Sequence, residues 1–600
     1  MDTTDVTIAL GTIVVFGVGA QWLSRVAGVP SIVLLLFAGI IAGPVTGLVD
    51  PEELLGDTLD PAVSLLVGLL LFDSGMSLRW AQRPSDVDVV YRLVTFGLIV
   101  TWVVGAAASY LIFDLSLEAA LLLGVLLVVS GPTVVGPIVK AARPRPPTGA
   151  VLKWEGTILD PLSAALGAAV LTVITTDTGP VLGTVGILLA TAALGIAIGL
   201  ACAALFVVAW RNYAIPDDLQ VPVAFMLAVL AFSSAAAVIP EAGLFAALTL
   251  GLALANQPYA AVAQVRRFEA SIGTVVVAVL FITLAATIDL SELRSVLGKS
   301  ALLLAALVIV ARPLATIAST LRSGLPNRDR GFVASVAPRG IVAASTVSFY
   351  ALTLEQNGID AGGIEPITFA VIIGAGIVYG FGSPVMARVV GVSRGTPKGI
   401  AIFASHDVAA RPASALGSAG VPVLVVDPDA ADDTEHDPSY ELFTGSLVSD
   451  DLIDAMDQND VGMGLVGTEE RGLDFVAVKR CVHELGKPNA FYIPRQAPGS
   501  EAGIEARWRA RTPDRFVAFG PEVTRASLRE VLGTEGKLAW LDIEAEGSGL
   551  PDGAIPLFIV TGQGRGIVAS LQSLDQARHG RLGEDARVLY ADRREGHGGQ

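Results

Sequence analysis

The sequence has few cysteines and histidines, and both shortages limit its chemistry. Only two of the 600 residues are cysteine, Cys202 in an apolar run and Cys481 in a polar region. Neither a disulfide framework nor a zinc site is therefore predicted. All five histidines lie at or after His406. Proton handling in the preceding apolar part would consequently depend on carboxylates.

Charged residues are also sparse. They make up 16% of the chain against 52% hydrophobic residues, and the mean hydropathy is +0.63, which is a membrane composition. The net charge of −17 argues against a nucleic-acid partner. Residues 398–600 contain 20 Lys+Arg and 32 Asp+Glu, so −12 of that charge lies in this polar part.

Apolar runs occupy the first 392 residues, each near the roughly 20 residues that a bilayer requires. They predict a polytopic α-helical membrane protein with about 13 transmembrane helices. The first run has no basic residue before it, so we expect it to be retained and not cleaved as a secretory signal. The candidate spans are roughly 6–26, 30–49, 61–80, 92–113, 116–140, 149–175, 181–210, 219–239, 241–256, 266–287, 299–321, 330–353 and 364–390.

Basic residues cluster in alternate connections between these spans, and the intervening connections carry mostly acids. By the positive-inside rule the basic connections are cytoplasmic. This arrangement predicts a multi-pass protein of the cell membrane, with its N-terminus outside and its C-terminal domain in the cytoplasm.

Glycine and proline together interrupt two of the spans. The fifth includes Ser130-Gly131-Pro132-Thr133, and the twelfth includes Pro338-Arg339-Gly340. Interrupted helices in the two halves of a chain indicate an inverted-repeat transporter with its site where the breaks cross. Ordinary proline kinks are the alternative interpretation.

Within the apolar segments, Asp160 is the strongest candidate for ion binding. A charge at membrane depth costs at least ~3 kcal/mol, so such residues are usually functional. Pro161 has no amide hydrogen and frees the Thr157 carbonyl, while the Thr157 and Ser163 hydroxyls lie at helical spacing. These oxygens suit a proton or a small hard cation such as Na⁺.

The other ionisable residues of the apolar segments have structural alternatives. Glu155 is expected to form a structural salt bridge with Arg312, although Arg312 could instead extend to the interface. Asp73 could cap or pair near the cytoplasmic side. Arg339 could pair with a carboxylate or fill the crossing of the broken helices.

Several segments together resemble the type 1 monovalent cation:proton antiporters, the NhaP kind related to animal sodium/hydrogen exchangers. In that family a glutamate precedes an Asn-Asp pair by five residues, and Glu155 and Asp160 match the two acids. The asparagine position is Leu159, and Ser130-Gly131-Pro132 replaces Thr-Asp-Pro. The other matching segments are Leu71-Phe72-Asp73-Ser74-Gly75-Met76, Glu241-Ala242-Gly243-Leu244, Ala311-Arg312-Pro313-Leu314 and Pro338-Arg339-Gly340-Ile341-Val342.

The resemblance implies alternating access in a homodimer, with Asp160 binding Na⁺ or H⁺. Thr157, Ser163, Ser130 and Thr133 are the further candidate ligands. Because the two polar family positions are missing, backbone oxygens near Pro161 and Pro132 are expected to substitute for them. Glu155, Arg312, Arg339 and Asp73 are expected to have structural or coupling roles.

The polar region predicts a Rossmann-like α/β domain. Ile400-Ala401-Ile402-Phe403 reads as a first strand and residues 421–427 as a second strand ending in Asp427. This resembles the TrkA-N (RCK-like) regulatory domains of potassium transporters and channels. The predicted organisation is a membrane domain (1–392), a linker (393–397), the Rossmann-like domain (398–498), a second soluble α/β subdomain (499–590) and a disordered tail (591–600).

The glycine fingerprint of dinucleotide binding is missing from this domain. Its position reads Ala404-Ser405-His406-Asp407-Val408-Ala409, and those glycines normally admit the pyrophosphate. We therefore expect no cofactor. A regulatory nucleotide is disfavoured, and Asp427 would contact a ribose only if one binds.

The sequence thus favours a secondary antiporter, not an enzyme, which exchanges Na⁺ or Li⁺ for H⁺ across the lipid bilayer. K⁺/H⁺ exchange on the same scaffold is the nearest alternative. A ligand-gated K⁺ channel or an ion sensor would also join membrane helices to such a domain, although no Thr-Val-Gly-Tyr-Gly filter is present.

Overall fold

The chain consists of two compact units, Met1–Ser393 and Arg394–Gln600. Each unit has its own buried apolar clusters. The computed structural model describes residues 3–592 except the following gaps: 28–29, 81–86, 145, 176–179, 261, 322, 394–396, 432–433, 448, 469–470, 496–516, 521, 533–536, 544–549, 552–553, 579–581 and 583–584. Most of the predicted linker and disordered tail lies outside the described residues.

The first unit is helical. Seven of its described helical segments are long and apolar enough to cross a membrane, and five more are apolar but shorter. The fold is that of a polytopic helical membrane protein. In chain order the α-helices are α1 (Thr3–Ala27), α2 (Ser31–Ile40), α3 (Pro51–Leu55), α4 (Leu59–Met76), α5 (Val87–Arg92), α6 (Leu98–Phe113), α7 (Leu117–Leu126), α8 (Pro132–Ala142), α9 (Pro146–Thr175), α10 (Pro180–Arg211), α11 (Gln220–Ala236), α12 (Ala242–Asn256), α13 (Ala263–Ala286), α14 (Leu290–Ala306), α15 (Arg312–Thr320), α16 (Asn327–Ser335), α17 (Ile341–Gln356) and α18 (Ile364–Val390).

Both predicted interruptions are breaks between helices. Helix α7 ends at Leu126 and α8 begins at Pro132, while α16 ends at Ser335 and α17 begins at Ile341. The two breaks touch, because the Gly340 amide donates a hydrogen bond to the Val129 carbonyl over 3.1 Å. Non-helical backbone in a membrane is tolerated where it is buried in protein, as it is here.

Two long helical segments each contain one π-helical turn. Leu93–Gly97 joins α5 to α6, and Leu307–Ala311 joins α14 to α15. A π turn inserts an extra residue into the helical repeat and is frequent at functional sites. The second of these turns is followed directly by Arg312.

The second unit contains the predicted parallel sheet, with strand order β3-β2-β1-β4-β5. The chain adds β2 and β3 on one side of β1 and then returns to add β4 and β5 on the other side. The junction of β1 and β4 is therefore the point where the order of strand addition reverses. The predicted first two strands are present: β1 is one residue longer than predicted, and β2 is shorter than the predicted 421–427. The elements are β1 (Gly399–Phe403), α19 (His406–Ser418), β2 (Val423–Val426), β3 (Glu441–Phe443), α20 (Asp450–Gln458), β4 (Val461–Val466), α21 (Arg471–Leu485) and β5 (Ala490–Tyr492).

A four-stranded antiparallel sheet of order β6-β9-β7-β8 follows. One buried cluster contains residues of β1 together with residues of β7 and β9, so this sheet helps to cover one face of the parallel sheet. Its hairpin turn uses Gly564 at a φ of +73°, which favours glycine. The elements are α22 (Arg525–Leu532), β6 (Lys537–Asp542), β7 (Ile555–Val560), β8 (Gly566–Val568), α23 (Leu571–Arg578) and β9 (Arg587–Asp592).

Candidate ion-binding site

Helix α9 carries Asp160 into the centre of the membrane unit. The helix continues from Pro146 to Thr175 with Pro161 inside it. Asp160 is only 4% exposed, and its Oδ1 has no hydrogen-bond partner among the described residues. A buried carboxylate oxygen without a partner is costly, so this atom is the natural position for a proton or a cation.

Two glycines at the helix breaks lie against this carboxylate. A methyl carbon on Gly131 would lie 3.1 Å from Asp160 Oδ2, and one on Gly340 would lie 3.0 Å from Oδ1. Gly131 precedes α8 and Gly340 precedes α17, so two helix N-termini meet near one carboxylate. Helix N-termini favour negative charge, and glycine leaves room beside the oxygens.

The Thr157 and Ser163 hydroxyls are both engaged with their own helix. Thr157 Oγ1 donates to the Lys153 carbonyl over 2.9 Å, and Ser163 Oγ donates to the Leu159 carbonyl over 2.6 Å. Ser163 Oγ also lies 3.0 Å from the Asp160 carbonyl. Their lone pairs remain as acceptors, so both can still serve as ligands.

Ser130 and Thr133 lie at the break between α7 and α8. Ser130 is 8% exposed and lines a cavity of about 10 Å³ that also contacts Leu159. Thr133 lies in the first turn of α8, and its side chain is outside the described residues. The structure therefore places the Ser130 backbone and side chain near α9 but leaves the Thr133 hydroxyl as a prediction.

Glu155 forms the pairing that the sequence predicts. Arg312 donates to both carboxylate oxygens of Glu155, with a distance of 2.8 Å from Nη2 to Oε2, and its Nε donates to the Val333 carbonyl over 2.9 Å. Both residues are buried. The forked geometry satisfies the two charges, so Glu155 links α9 to α15 and α16.

Arg339 completes the charged lining of the small cavity beside this pair. It is 4% exposed, and its Nε has no partner among the described residues. The cavity also contacts Ser130, Glu155 and Arg312, and its volume is close to that of one water molecule. Arg339 thus lies at the crossing, as predicted, next to the salt bridge.

Asp73 lies elsewhere in the membrane unit. It is on α4, and a methyl carbon on Gly273 of α13 would lie 3.1 Å from its Oδ2. Its structural or coupling role stays a prediction.

A buried contact that the sequence did not predict joins α9 to α16. The Thr148 hydroxyl donates to Asp329 Oδ1, and the two residues are 0% and 4% exposed. In the sequence Asp329 lies between Arg328 and Arg330, and this pattern is indistinguishable from that of a solvated charged loop. A threonine in the first turn of an apolar helix gave no signal either.

In the second unit, Asp427 caps the first amide of α19. Its Oδ2 accepts from the His406 amide over 2.8 Å, and its Oδ1 accepts from the Asp429 amide over 3.2 Å. Asp427 thereby satisfies the N-terminus of α19, which in Rossmann domains faces a pyrophosphate. It is 8% exposed, so little of its carboxylate is available to a ribose.

Broken helices that meet at a buried site are typical of secondary transporters. A profile of the family described as sodium/hydrogen exchanger, transmembrane, matches residues 11–389. Since this match covers more than half of the chain, the protein belongs to the sodium/hydrogen exchanger family. The match ends before the soluble unit begins.

Individual relatives support the same assignment. The chain is 25% identical over 359 residues to the K⁺/H⁺ antiporter NhaP of Alkalimonas amylolytica, a match covering 57% of this chain and 60% of that protein. It is 21% identical over 356 residues to the probable Na⁺/H⁺ antiporter 2 of Methanocaldococcus jannaschii, covering 57% and 84%.

Among solved structures, the sodium proton antiporter MjNhaP1 of Methanocaldococcus jannaschii at pH 8 has a TM-score of 0.55 at 20% identity. The similarity covers 64% of this chain and 99% of that one. At this level of identity the comparison concerns the fold alone.

Proposed function

We propose that this protein exchanges Na⁺ or Li⁺ for H⁺ across the cell membrane by alternating access. The observation that carries the proposal is the unpartnered, buried Asp160 oxygen between two broken-helix N-termini. Membership of the sodium/hydrogen exchanger family supports it.

Asp160 alone can account for the exchange. Burial favours the protonated carboxyl, whereas a bound cation favours the ionised form, so the two occupants compete for one group. Glu155 does not compete, because Arg312 occupies both of its oxygens. No group of three or more described His, Cys, Asp or Glu residues could hold a metal ion. Carbonyl oxygens at the breaks and at Thr157 would complete the cation's ligands.

K⁺/H⁺ exchange is the second candidate. The Alkalimonas relative carries that name. The family that the sequence resembles has an asparagine at the position of Leu159. The leucine side chain has no oxygen, so fewer side-chain ligands are available to a small cation. The missing ligand should weaken binding of K⁺ less than binding of Na⁺, because the larger ion gives up its hydration more readily.

The test is a pH-gradient assay in inverted vesicles with Na⁺, Li⁺ and K⁺ added separately. We expect dissipation of the gradient by at least one cation and at least ~100-fold less dissipation for Asp160→Asn. Asp360→Asn, at an exposed loop position, is the matched control and should exchange normally. Normal exchange by Asp160→Asn would place the site elsewhere, and current without proton counterflow would indicate a channel.

Topology and assembly follow from the same proposal. The seven long and five shorter apolar helices are compatible with twelve spans, in which α7 and α8 together count as one. The second broken pair, α16 and α17, would be the thirteenth, and the spans would form two inverted repeats. An odd count would put the two ends of the chain on opposite sides, and the basic connections favour an N-terminus outside and a second unit in the cytoplasm. We also propose a homodimer, as the resemblance implies. A cysteine introduced near Met1 should react with an impermeant maleimide only from outside intact cells.

The soluble unit is proposed to regulate exchange without a bound dinucleotide. Asp427 already occupies the helix N-terminus that a pyrophosphate would need. Melting temperatures measured with ATP, NAD and NADP should remain unchanged. A rise with any of them would show that Asp427 can be displaced.

A further inference from the structure

A groove runs along the outside of the short helix α16. One part has a volume of about 370 Å³ and lies between α16, α18 and the start of α15. A second part of about 220 Å³ continues along α15, and both parts share Gly331 and Ala334. Each part approaches or exceeds the lower limit of about 300 Å³ typical of ligand pockets. We call this continuous depression the α16 groove.

The rims of the α16 groove are apolar and exposed. Ile309 is 71% exposed, Ile317 57%, Leu321 60% and Met386 39%, and all four line the groove. In a membrane-spanning unit such surfaces face hydrocarbon. The groove is therefore suited to an apolar chain, not to a water-soluble metabolite.

The floor of the groove is different, because it contains two buried hydroxyls without partners. Ser383 lines the larger part and is 2% exposed, and Thr316 lines the smaller part and is 1% exposed. Neither hydroxyl oxygen has a hydrogen-bond partner among the described residues. Water is scarce at this depth, so polar atoms of the guest itself would satisfy both hydroxyls once each side chain turns its buried oxygen toward the groove.

One end of the groove is positively charged. Arg330 lines the smaller part directly. Arg92 donates to the carbonyl of Leu321, which lines the same part, over 2.8 Å. The neighbouring Asp329 is buried and accepts from Thr148, so its charge does not face this end. A cationic end on an apolar groove complements an anionic headgroup with an attached hydrocarbon chain.

We propose that the α16 groove binds one anionic phospholipid. Its acyl chain would lie along α15 and α18, its ester oxygens would accept from Thr316 and Ser383, and its phosphate would pair with Arg330. The site is independent of the proposed exchange at Asp160.

The test uses the full-length protein, delipidated in detergent, with phosphatidylglycerol or phosphatidylcholine added. Native mass spectrometry should detect one retained phosphatidylglycerol per chain and at least ~5-fold less phosphatidylcholine. Phosphatidylglycerol should also raise the melting temperature by several degrees, whereas inorganic phosphate should not. Equal retention of the two lipids, or equal protection by phosphate, would overturn the proposal.

Two pairs of variants locate the site. Ala334→Phe fills the groove and should abolish retention, whereas Ala318→Phe, a half-buried alanine that does not line the groove, should not. Arg330→Gln should remove the preference for the anionic lipid, whereas Arg328→Gln on the same helix should keep it. Gel filtration establishes that each variant is folded. Unchanged retention by folded Ala334→Phe would place the lipid elsewhere.

Discussion

Two carboxylates on one helix have opposite environments. Glu155 is neutralised by a forked contact with Arg312, whereas Asp160, about one and a half turns further along α9, has an oxygen without a partner. A paired buried charge is structural, and an unpaired one is available to an exchangeable partner. Both residues are acids in an apolar helix, so their difference lies in the side chains that contact their carboxylates.

The pairing of Glu155 with Arg312 makes a thermodynamic prediction. Arg312→Gln leaves a buried carboxylate without its partner and should destabilise the protein by about 3–5 kcal/mol, lowering its melting temperature in detergent. The double variant Glu155→Gln/Arg312→Gln should recover part of this loss because no charge remains unpaired. If the melting temperature of the double variant falls by the sum of the two single changes, the residues are not coupled.

Cys481 makes a prediction about alkaline pH. Burial raises the pKa of the Cys481 thiol to about 12, whereas an unfolded thiol ionises near its ordinary value of about 8.5. The unfolded state therefore loses this proton first as pH rises. The resulting stability is present below pH of about 8.5 and is lost progressively above it.

Urea unfolding of the second unit within the full-length protein, followed between pH 7 and 11, measures this loss. Cys481→Ala should lower stability at neutral pH but flatten its decline above pH of about 8.5. Cys202→Ala lies in α10 of the other unit and should leave the pH profile unchanged. An equally steep alkaline decline in Cys481→Ala would show that other groups cause it.

At the scale of elements, the helix breaks are the feature that positions the site. Glycine and proline within apolar runs were sufficient to predict that the fifth and twelfth spans are interrupted, and α7 and α16 end a few residues before these glycines and prolines. The sequence also predicts the site where the breaks cross, but the approach of Gly131 and Gly340 to the Asp160 oxygens depends on contacts between distant parts of the chain and could not be predicted. In the family that the sequence resembles, an aspartate stands at the position of Gly131. In the structure Gly131 lies directly against Asp160.

Gly340 should be intolerant of any side chain. A methyl carbon there would lie 2.7 Å from Val129 Cγ1, 2.9 Å from the Gly131 nitrogen and 3.0 Å from Asp160 Oδ1. Since backbone and carboxylate cannot both move away, Gly340→Ala should reduce exchange in vesicles at least ~10-fold. Gly136→Ala in α8 is the matched control, because no atom lies within 4 Å of that methyl position. Equal activity of the two variants would show that the breaks are not rigidly packed.

The remaining surprises also involve contacts between elements distant in sequence. Asp329 reads as part of a charged loop, yet it is buried against Thr148 of α9. Asp427 matches the terminal acid of a Rossmann strand, yet it accepts from the His406 amide. Local patterns indicate which residues are unusual, while tertiary contacts determine their partners.

For the whole molecule, the change in composition near residue 395 corresponds to the boundary between two compact units. A hydrophobic series followed by an acidic α/β pattern is a strong local signal, because a bilayer and water select different residues. The sheet order and the packing of the antiparallel sheet depend on long-range pairing and could not be obtained from the strands alone.

The first unit should therefore function without the second, provided that the chain is cut at the right residue. Val392 is fully buried, and Ser393 pairs with Pro144, two residues before α9 begins. A chain ending at Ser393 should purify as a folded protein and dissipate a pH gradient in vesicles. A chain ending at Val390 loses both of these contacts, including the one beside the start of α9, and should melt at a lower temperature. If both truncations melt and exchange alike, residues 391–393 do not support α9. If neither folds while the full chain does, the membrane unit requires the soluble unit for its stability.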